Sequence, residues 1–261
     1  MTLLLLTFLV TLCAFSCIWL VQVKTKDAGI VDFYWGPGFA IIVFIYLLTQ
    51  SNLTVWHSIF AIITATWALR LGLHMWLRHR KFDGEDRRYA AMRMKGGRNF
   101  WWVSWFKVFL LQAILMWIIA SSHHVAFSIT NNSTHETNIS IFFIGLGLFV
   151  TGFALETIAD YQLSQFKDES KNAGKTMNQG LWAWSRHPNY FGETVLWWGF
   201  GFCSFALSGV WWAFIGPALL TFLLLRVSGV TLLEKHLKPA KEGYEEYIKT
   251  TSAFIPLPPK R

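Results

Sequence analysis

The chain has 261 residues, of which 54% are hydrophobic, 17% aromatic and only 15% charged. A soluble domain carries roughly 25% charged residues, and the mean hydropathy here is +0.38, so the composition points to a chain whose solvent is mostly lipid. The net charge is +8, but the basic residues cluster between apolar runs, which is the pattern of membrane topology rather than of nucleic-acid binding.

Apolar runs occur near 3–22, 33–50, 55–77, 101–122, 139–159, 191–207 and 210–227. Each approaches the ~20 residues that a helix needs to cross a bilayer. The expected fold is therefore all-α, a single polytopic membrane domain over 1–261 with about seven transmembrane helices. No positive charge precedes the first run and Lys24 and Lys26 follow it, as in a first spanning helix rather than a cleaved signal. Gly36, Pro37 and Gly38 bend the second run or start it at Pro37. Ser208–Gly209 makes the last two runs a tight hairpin. Residues 230–250 read as an amphipathic helix interrupted at Pro239, so that 228–261 form a cytoplasmic tail closing a cofactor site. Cys13, Cys17 and Cys203 all lie in apolar runs and read as small buried hydrophobes.

Charge sets the orientation. Residues 78–98 hold eight Lys and Arg against three Asp and Glu, while 123–138 hold no Lys or Arg. The first loop is then cytoplasmic and the second outside or lumenal, with the N-terminus outside and the C-terminus in the cytoplasm. Sequons at Asn52, Asn131, Asn132 and Asn138 all fall in loops placed outside. This fits a multi-pass protein of the endoplasmic reticulum if eukaryotic, or of the inner membrane if bacterial.

The ionisable groups concentrate at the cytoplasmic helix ends. Arg70, His74 and Arg78 share one face of the third helix at a spacing of four, and Arg70 lies deep enough to need a partner or a wet cavity. Glu156 and Asp160 have the same spacing on the fifth helix, as an ion-pair network or as carboxylates that hold amides or ribose hydroxyls. Asp32 starts the second helix, either as a helix cap or as an acid that positions a proton donor. Tyr34 is an interfacial aromatic or a phenolic donor. The densest polar stretch runs from Ser185 through Arg186, His187, Asn189 and Tyr190 to Glu193. Pro188 suits a first helical turn, and Arg186 suits a phosphate or carboxylate. His123 and His124 read as a hydrated pair. No metal-ligand spacing, P-loop or dinucleotide fingerprint is present, so no metal is expected, and any nucleotide would be held by membrane helix ends.

The stretch Gly180-Leu181-Trp182-Ala183-Trp184-Ser185-Arg186-His187-Pro188-Asn189-Tyr190-Phe191-Gly192-Glu193 resembles the C-terminal signature of the steroid 5-alpha-reductase superfamily, and more narrowly its DUF1295 branch. Asp32-Phe33-Tyr34-Trp35-Gly36, Gly84-Glu85-Asp86-x-Arg88-Tyr89 and Ala253-Phe254-Ile255-Pro256 extend the resemblance over nearly the whole chain. It implies a seven-helix membrane oxidoreductase of lipid metabolism that passes hydride from NADPH to an activated C=C bond of a membrane-embedded lipid or steroid-like substrate. It implies Arg70, Arg78, Lys81 and Arg88 for the cofactor phosphates. It likens Asp160 to the family acid on the fifth helix, and Asn189 and Glu193 to the residues that hold nicotinamide or ribose. Glu156, Arg186, His187 and Tyr190 join that cofactor set as its neighbours. Steroid reductases of this superfamily carry a His-Tyr pattern that supplies the catalytic tyrosine. Here His74 is followed by Met75, which cannot donate a proton. Either Tyr34, Tyr89 or His74 then takes the role beside Asp32, or the substrate is not a 3-oxo-4-ene steroid.

The Arg186-His187-Pro188-x-Tyr190-x-Gly192 core also resembles membrane methyltransferases that use S-adenosylmethionine, such as the isoprenylcysteine carboxyl type. A third reading is a non-enzymatic membrane scaffold that binds lipid or cofactor.

Overall fold

The computed structural model describes residues 2–81, 84–128, 136–227, 229–237 and 242–260. Among them the only strand-like pairings are two isolated bridges, Lys175 with Glu242 and Ser185 with Ser252. The chain divides into two compact units, Met1–Thr137 with Leu207–Ala213, and Asn138–Ala206 with Phe214–Arg261.

Five helical stretches among the described residues are long and apolar enough to cross a membrane: Leu3–Thr25, Ala28–Thr49, Val55–Arg80, Arg87–Ile119 and Ile139–Asp168. The sixth run lies in a 21-residue helix, Pro188–Ser208. The seventh lies in the shorter apolar helix Trp211–Val227. The protein is thus an all-α, multi-pass membrane protein.

The first unit contains α1 (Leu3–Thr25), a 3-10 turn (Ala28–Tyr34) leading into α2 (Trp35–Thr49), and α3 (Val55–Arg80). A short α4 (Arg87–Gly96) then continues through α5 (Phe100–Ser104) and a π-helical stretch (Trp105–Leu110) into α6 (Leu111–Ile119), followed by α7 (Ser121–Ser128). The basic segment 78–98 is therefore not all loop. Asp86 caps α4 by accepting from the Arg88 amide at 2.9 Å, which is why helix begins well before the apolar run. Pro37 falls in the first turn of α2, where its missing N–H breaks no helical bond. Lipid offers little hydrophobic drive between helices, so close approach decides packing. A Cβ on Gly36 would fall on the Ala68 carbonyl of α3. Phe39, Phe60, Trp67, Phe109, Met116 and Phe127 are fully buried. Cys13 and Cys17 correct the sequence reading, because both are exposed on α1 and only Cys203 is buried.

His123 and His124 also differ from the hydrated pair expected. Both are buried, with the His123 ring 5.2 Å from Phe60 and 5.7 Å from Phe39. His124 Nε2 lies 3.1 Å from the Trp117 carbonyl and must donate to it, which leaves Nδ1 to accept from the Tyr46 hydroxyl at 3.0 Å. Burial pushes the imidazoles down, to about 3 for His123 and about 4 for His124. Their folded values lie below the ordinary ~6.5. The unfolded chain therefore binds protons first as pH falls, and stability that is intact above pH ~6.5 is lost below it, at roughly 1.4 kcal/mol per pH unit per histidine. The expected result is a melting temperature that drops steadily between about pH 7 and pH 5, with a shallower slope in His123→Phe. A melting temperature flat across that range would refute the neutral, buried assignment.

The second unit contains α8 (Ile139–Asp168), α9 (Pro188–Ser208), α10 (Ile215–Phe222), α11 (Val230–Leu237) and α12 (Tyr244–Thr250). Asn138 caps α8 by accepting from the Ile141 amide at 3.1 Å. Two of the other sequons, at Asn131 and Asn132, lie outside the described residues, as does Pro239. Helices α8 and α9 touch backbone to backbone. A Cβ on Gly192 would stand 2.5 Å from the Glu156 nitrogen and 2.8 Å from the Gly152 carbonyl oxygen. Neither atom can rotate aside. Gly192→Ala is therefore expected to destabilise the unit by about 1–3 kcal/mol or more, read as a lower melting temperature in detergent. An unchanged value would mean that the helices part without loss.

Candidate active site

In the first unit the 3-10 turn before α2 and the start of α4 meet through charge. Asp27, not Asp32, caps the turn, accepting from the Gly29 amide at 2.9 Å, and His79 Nε2 sits 3.0 Å from Asp27. Asp32 is thereby released from the capping role and faces α4. Its Oδ2 accepts from Arg88 Nη2 at 2.7 Å, and its Oδ1 from the Tyr89 hydroxyl at 2.7 Å. Arg88 Nε also reaches Asp86 at 3.0 Å. Burial pushes the Asp86 carboxyl up, but hydrogen bonds from the Arg88 side chain and amide outweigh it and hold Asp86 below its ordinary value. A neighbouring ion pair, Arg93 with Glu85 at 2.7 and 2.8 Å, fastens the same elements, since Glu85 also accepts from the Ala28 amide at 2.8 Å.

A chain of hydrogen bonds fixes the direction of the Tyr89 proton. Trp35 Nε1 is a donor only, and it lies 2.7 Å from Gln112 Oε1. The amide of Gln112 is therefore oriented with Nε2 toward Tyr89, donating to its hydroxyl at 3.3 Å. Tyr89 accepts on that side and must give its single proton to the other, where Asp32 waits. Asp32 receives Arg88 on its second oxygen, so both of its oxygens act as acceptors.

Of the catalytic candidates, Asp32 and Tyr89 are brought together. Tyr34 is placed elsewhere. It packs edge-on against Phe15 at 5.3 Å and, with Ile18, Val21, Ile30, Phe33 and Pro37, lines a shallow apolar groove of about 330 Å³. His74 and Arg70 are half-buried on α3, while Arg78 and Lys81 are exposed at its end. Arg88, proposed from sequence for a phosphate, is committed to Asp32 and Asp86. Gln112 and Trp35 were missed by the sequence reading. An amide alone in the run Phe109-Leu110-Leu111-Gln112-Ala113-Ile114 is the signal that could have found the first, because a polar side chain inside a span needs a partner.

In the second unit the close α8–α9 contact sets Asn189 Nδ2 3.0 Å from Asp160 Oδ1. Glu156 and Asp160 are both buried, one turn apart, and Glu193 is half-buried one turn beyond Asn189. Of the two partners that suit Arg186, phosphate or carboxylate, the fold supplies a carboxylate of its own. Its Nε and Nη2 each lie 2.7 Å from Glu234 Oε1, and Nη1 donates to the carbonyls of Ile248 at 3.1 Å and Thr251 at 2.5 Å. Most of its donors are spent on the chain's own C-terminal segment. His187 stacks on Tyr190 with rings 5.6 Å apart and approaches Glu234 at 3.4 Å. Burial alone would raise the Glu234 carboxyl, but the hydrogen bonds from His187 and Arg186 hold it down at about 2. Tyr247 bonds the Trp182 carbonyl, Ser185 Oγ the Phe254 carbonyl at 2.8 Å, and the Leu257 amide the Trp184 carbonyl at 3.0 Å. The tail is thus tied to the residues before α9.

The sequence profile described as "Protein of unknown function (DUF1295)" matches residues 18–251. The chain is 30% identical over 115 residues to 3-oxo-5-alpha-steroid 4-dehydrogenase 1 of Bos taurus, covering 44% of this chain and 41% of that protein. It is 27% identical over 115 residues to 3-oxo-5-alpha-steroid 4-dehydrogenase 2 of Homo sapiens, covering 44% and 42%. An uncharacterized protein of Schizosaccharomyces pombe is 26% identical over 211 residues, 71% of this chain and 60% of its own. The matches therefore span less than half the length of the two steroid dehydrogenases. No solved structure matches. This chain belongs to the DUF1295 family, and 3-oxo-5-alpha-steroid 4-dehydrogenases are among its relatives.

Proposed function

We propose that this protein is a membrane reductase that adds hydride from NADPH to a C=C bond conjugated to a carbonyl in a lipophilic, steroid-like substrate. Its similarity to 3-oxo-5-alpha-steroid 4-dehydrogenases supports hydride transfer over the methyl transfer that the Arg186–Gly192 core also resembles. The observation that carries the reading is the Tyr89 phenol, held between Asp32 and Gln112 by hydrogen bonds of fixed direction. When bound, NADPH supplies the hydride. Negative charge then develops on the substrate carbonyl oxygen, and a positioned phenol answers it with a hydrogen bond and a proton. Tyr89 makes this donation by turning its O–H from Asp32 to the substrate, while Gln112 keeps the ring in place and Arg88 keeps Asp32 satisfied. The enol so formed takes a proton from solvent at its α-carbon and returns its O–H proton to Tyr89 as the carbonyl re-forms, so that one hydride and one proton net saturate the double bond.

The second unit offers groups that suit the cofactor's amide and ribose. Asn189 has a donor and an acceptor for a carboxamide, and Asp160, Glu156 and Glu193 accept from amides and hydroxyls. Arg186 and Arg88 are left out of the phosphate set because their own carboxylates hold them. The charge asymmetry of the loops supports a cytoplasmic side for the basic helix ends and the C-terminus, where NADPH is found. The substrate enters from the bilayer.

Titration of the detergent-solubilised protein with NADPH and with S-adenosylmethionine tests the reading, followed by deuterium transfer from labelled NADPH to a panel of 3-oxo-4-ene steroids. NADPH binding with label in the product is expected. Binding of the methyl donor alone overturns the proposal.

A further inference from the structure

The outer face of α4 has no part in the chemistry just described, and its composition is unusual. Tyr89 and Arg93 point inward, with Tyr89 only 6% exposed and Arg93 fastened to Glu85. Outward, Met94 is 80% exposed and Met92 47%, and Trp101 and Trp102 follow at 55% and 44%. Exposed Arg87, Lys95 and Arg98 alternate with them. The end of α1 adds exposed Lys24 and Lys26, brought alongside by the 2.7 Å bond from Trp19 Nε1 to the Trp101 carbonyl.

The acids at this end are spent internally. Among the described residues Asp27 pairs with His79, Asp32 and Asp86 with Arg88, and Glu85 with Arg93. None of Lys24, Lys26, Arg87, Lys95 and Arg98 makes an ion pair among those residues. A merely solvated basic face explains the cations, but not two bare methionines and two bare tryptophans between them. A soluble anion such as a nucleotide phosphate explains the cations but likewise leaves the apolar side chains in water. The boundary between lipid headgroups and acyl chains satisfies both sets at once.

We infer that the segment Arg87–Trp102, with Lys24 and Lys26, is a binding surface for anionic phospholipid, lying in the headgroup layer with its methionines and tryptophans seated at acyl depth. Because Tyr89 sits on the inner face of the same helix, lipid on the outer face also steadies the proton-donor cluster. The binding itself does not depend on the proposed reaction.

Native mass spectrometry of the purified full chain in detergent, titrated with dioleoyl phosphatidylglycerol or dioleoyl phosphatidylcholine, measures the surface directly. The wild type is expected to prefer the anionic lipid. The triple variant Arg87→Gln, Lys95→Gln, Arg98→Gln is expected to lose that preference by on the order of 100-fold, with phosphatidylcholine binding unchanged. Met94→Ser, which keeps every charge, is expected to weaken both lipids. Equal affinities of the wild type for the two lipids would overturn the inference, as would a triple variant that keeps its preference. Displacement of phosphatidylglycerol by inorganic pyrophosphate, with loss of NADPH affinity in the triple variant, would assign the face to a soluble phosphate instead.

Discussion

Tyr89→Phe is expected to lower turnover by 10²–10⁴-fold, roughly the worth of a positioned general acid, while leaving the protein folded. The phenyl ring keeps its buried place, and the loss of two hydrogen bonds weakens the fold by only about 0.5–1.5 kcal/mol each. The affinity for NADPH should not change, because no cofactor group is assigned to Tyr89. Asp32→Asn tests the direction of the hydrogen bonds. An amide placed there still accepts from Tyr89 on one atom but presents N–H₂ to the other partner, Arg88, which is itself a donor only. It is expected to disturb Arg88 and to cut turnover almost as far. Gln112→Leu removes the contact that orients the phenol without touching the acid, so it should reduce turnover less than Tyr89→Phe and alter the pH profile of kcat. If Tyr89→Phe turns over as the wild type does, another donor is at work. Tyr34, at the rim of the apolar groove, is the one to test next.

Much of the fold was legible because hydropathy reports on the solvent. The runs at 3–22, 55–77 and 139–159 lie inside α1, α3 and α8, since a long apolar segment in lipid can satisfy its backbone only as a helix. Helix ends were harder. α8 runs on to Asp168 and α4 starts at Arg87, because polar residues at the membrane edge stay helical when caps and ion pairs hold them. Within the site, Asp32 and Tyr89 were identified as residues but not as partners. Their pairing depends on Asp27 taking the cap, which local spacing does not decide. The cofactor role for Arg88 came from the family resemblance, and that for Arg186 from its charge beside a first helical turn. Which carboxylate holds a guanidinium is a tertiary fact, and Asp32 and Glu234 lie 56 and 48 positions away. The histidines misled for a related reason, since a polar residue just past an apolar run looks wet until the aromatic rings around it are seen.

The polar stretch before α9 owes its arginine to architecture, and the largest stability effect is expected there. Arg186 is only 8% exposed, and it joins Glu234 of α11 to the carbonyls that end α12. Removing one partner of such a buried pair leaves the other charged and unmatched, which costs about 3–5 kcal/mol. Arg186→Ala is therefore expected to detach residues 244–257 from the Trp182–His187 segment, seen as faster proteolysis of the tail and faster exchange of the Leu257 amide and of the backbone amide at position 186. Glu234→Gln should do the same more weakly, since an amide oxygen still accepts from Arg186. The pH dependence follows from the same contact. The Glu234 carboxyl is held at about 2 in the folded chain against an ordinary value near 4.3. Its contribution is complete above that ordinary value and fades only as pH falls from there toward 2. The tail should thus stay fastened through the range in which His123 and His124 already weaken the first unit. Acid unfolding is expected in two steps, the first unit loosening below pH ~6.5 and the tail below pH ~4.5. A tail that comes free first, or an Arg186→Ala variant whose tail exchanges no faster than the wild type, would return Arg186 to the cofactor set.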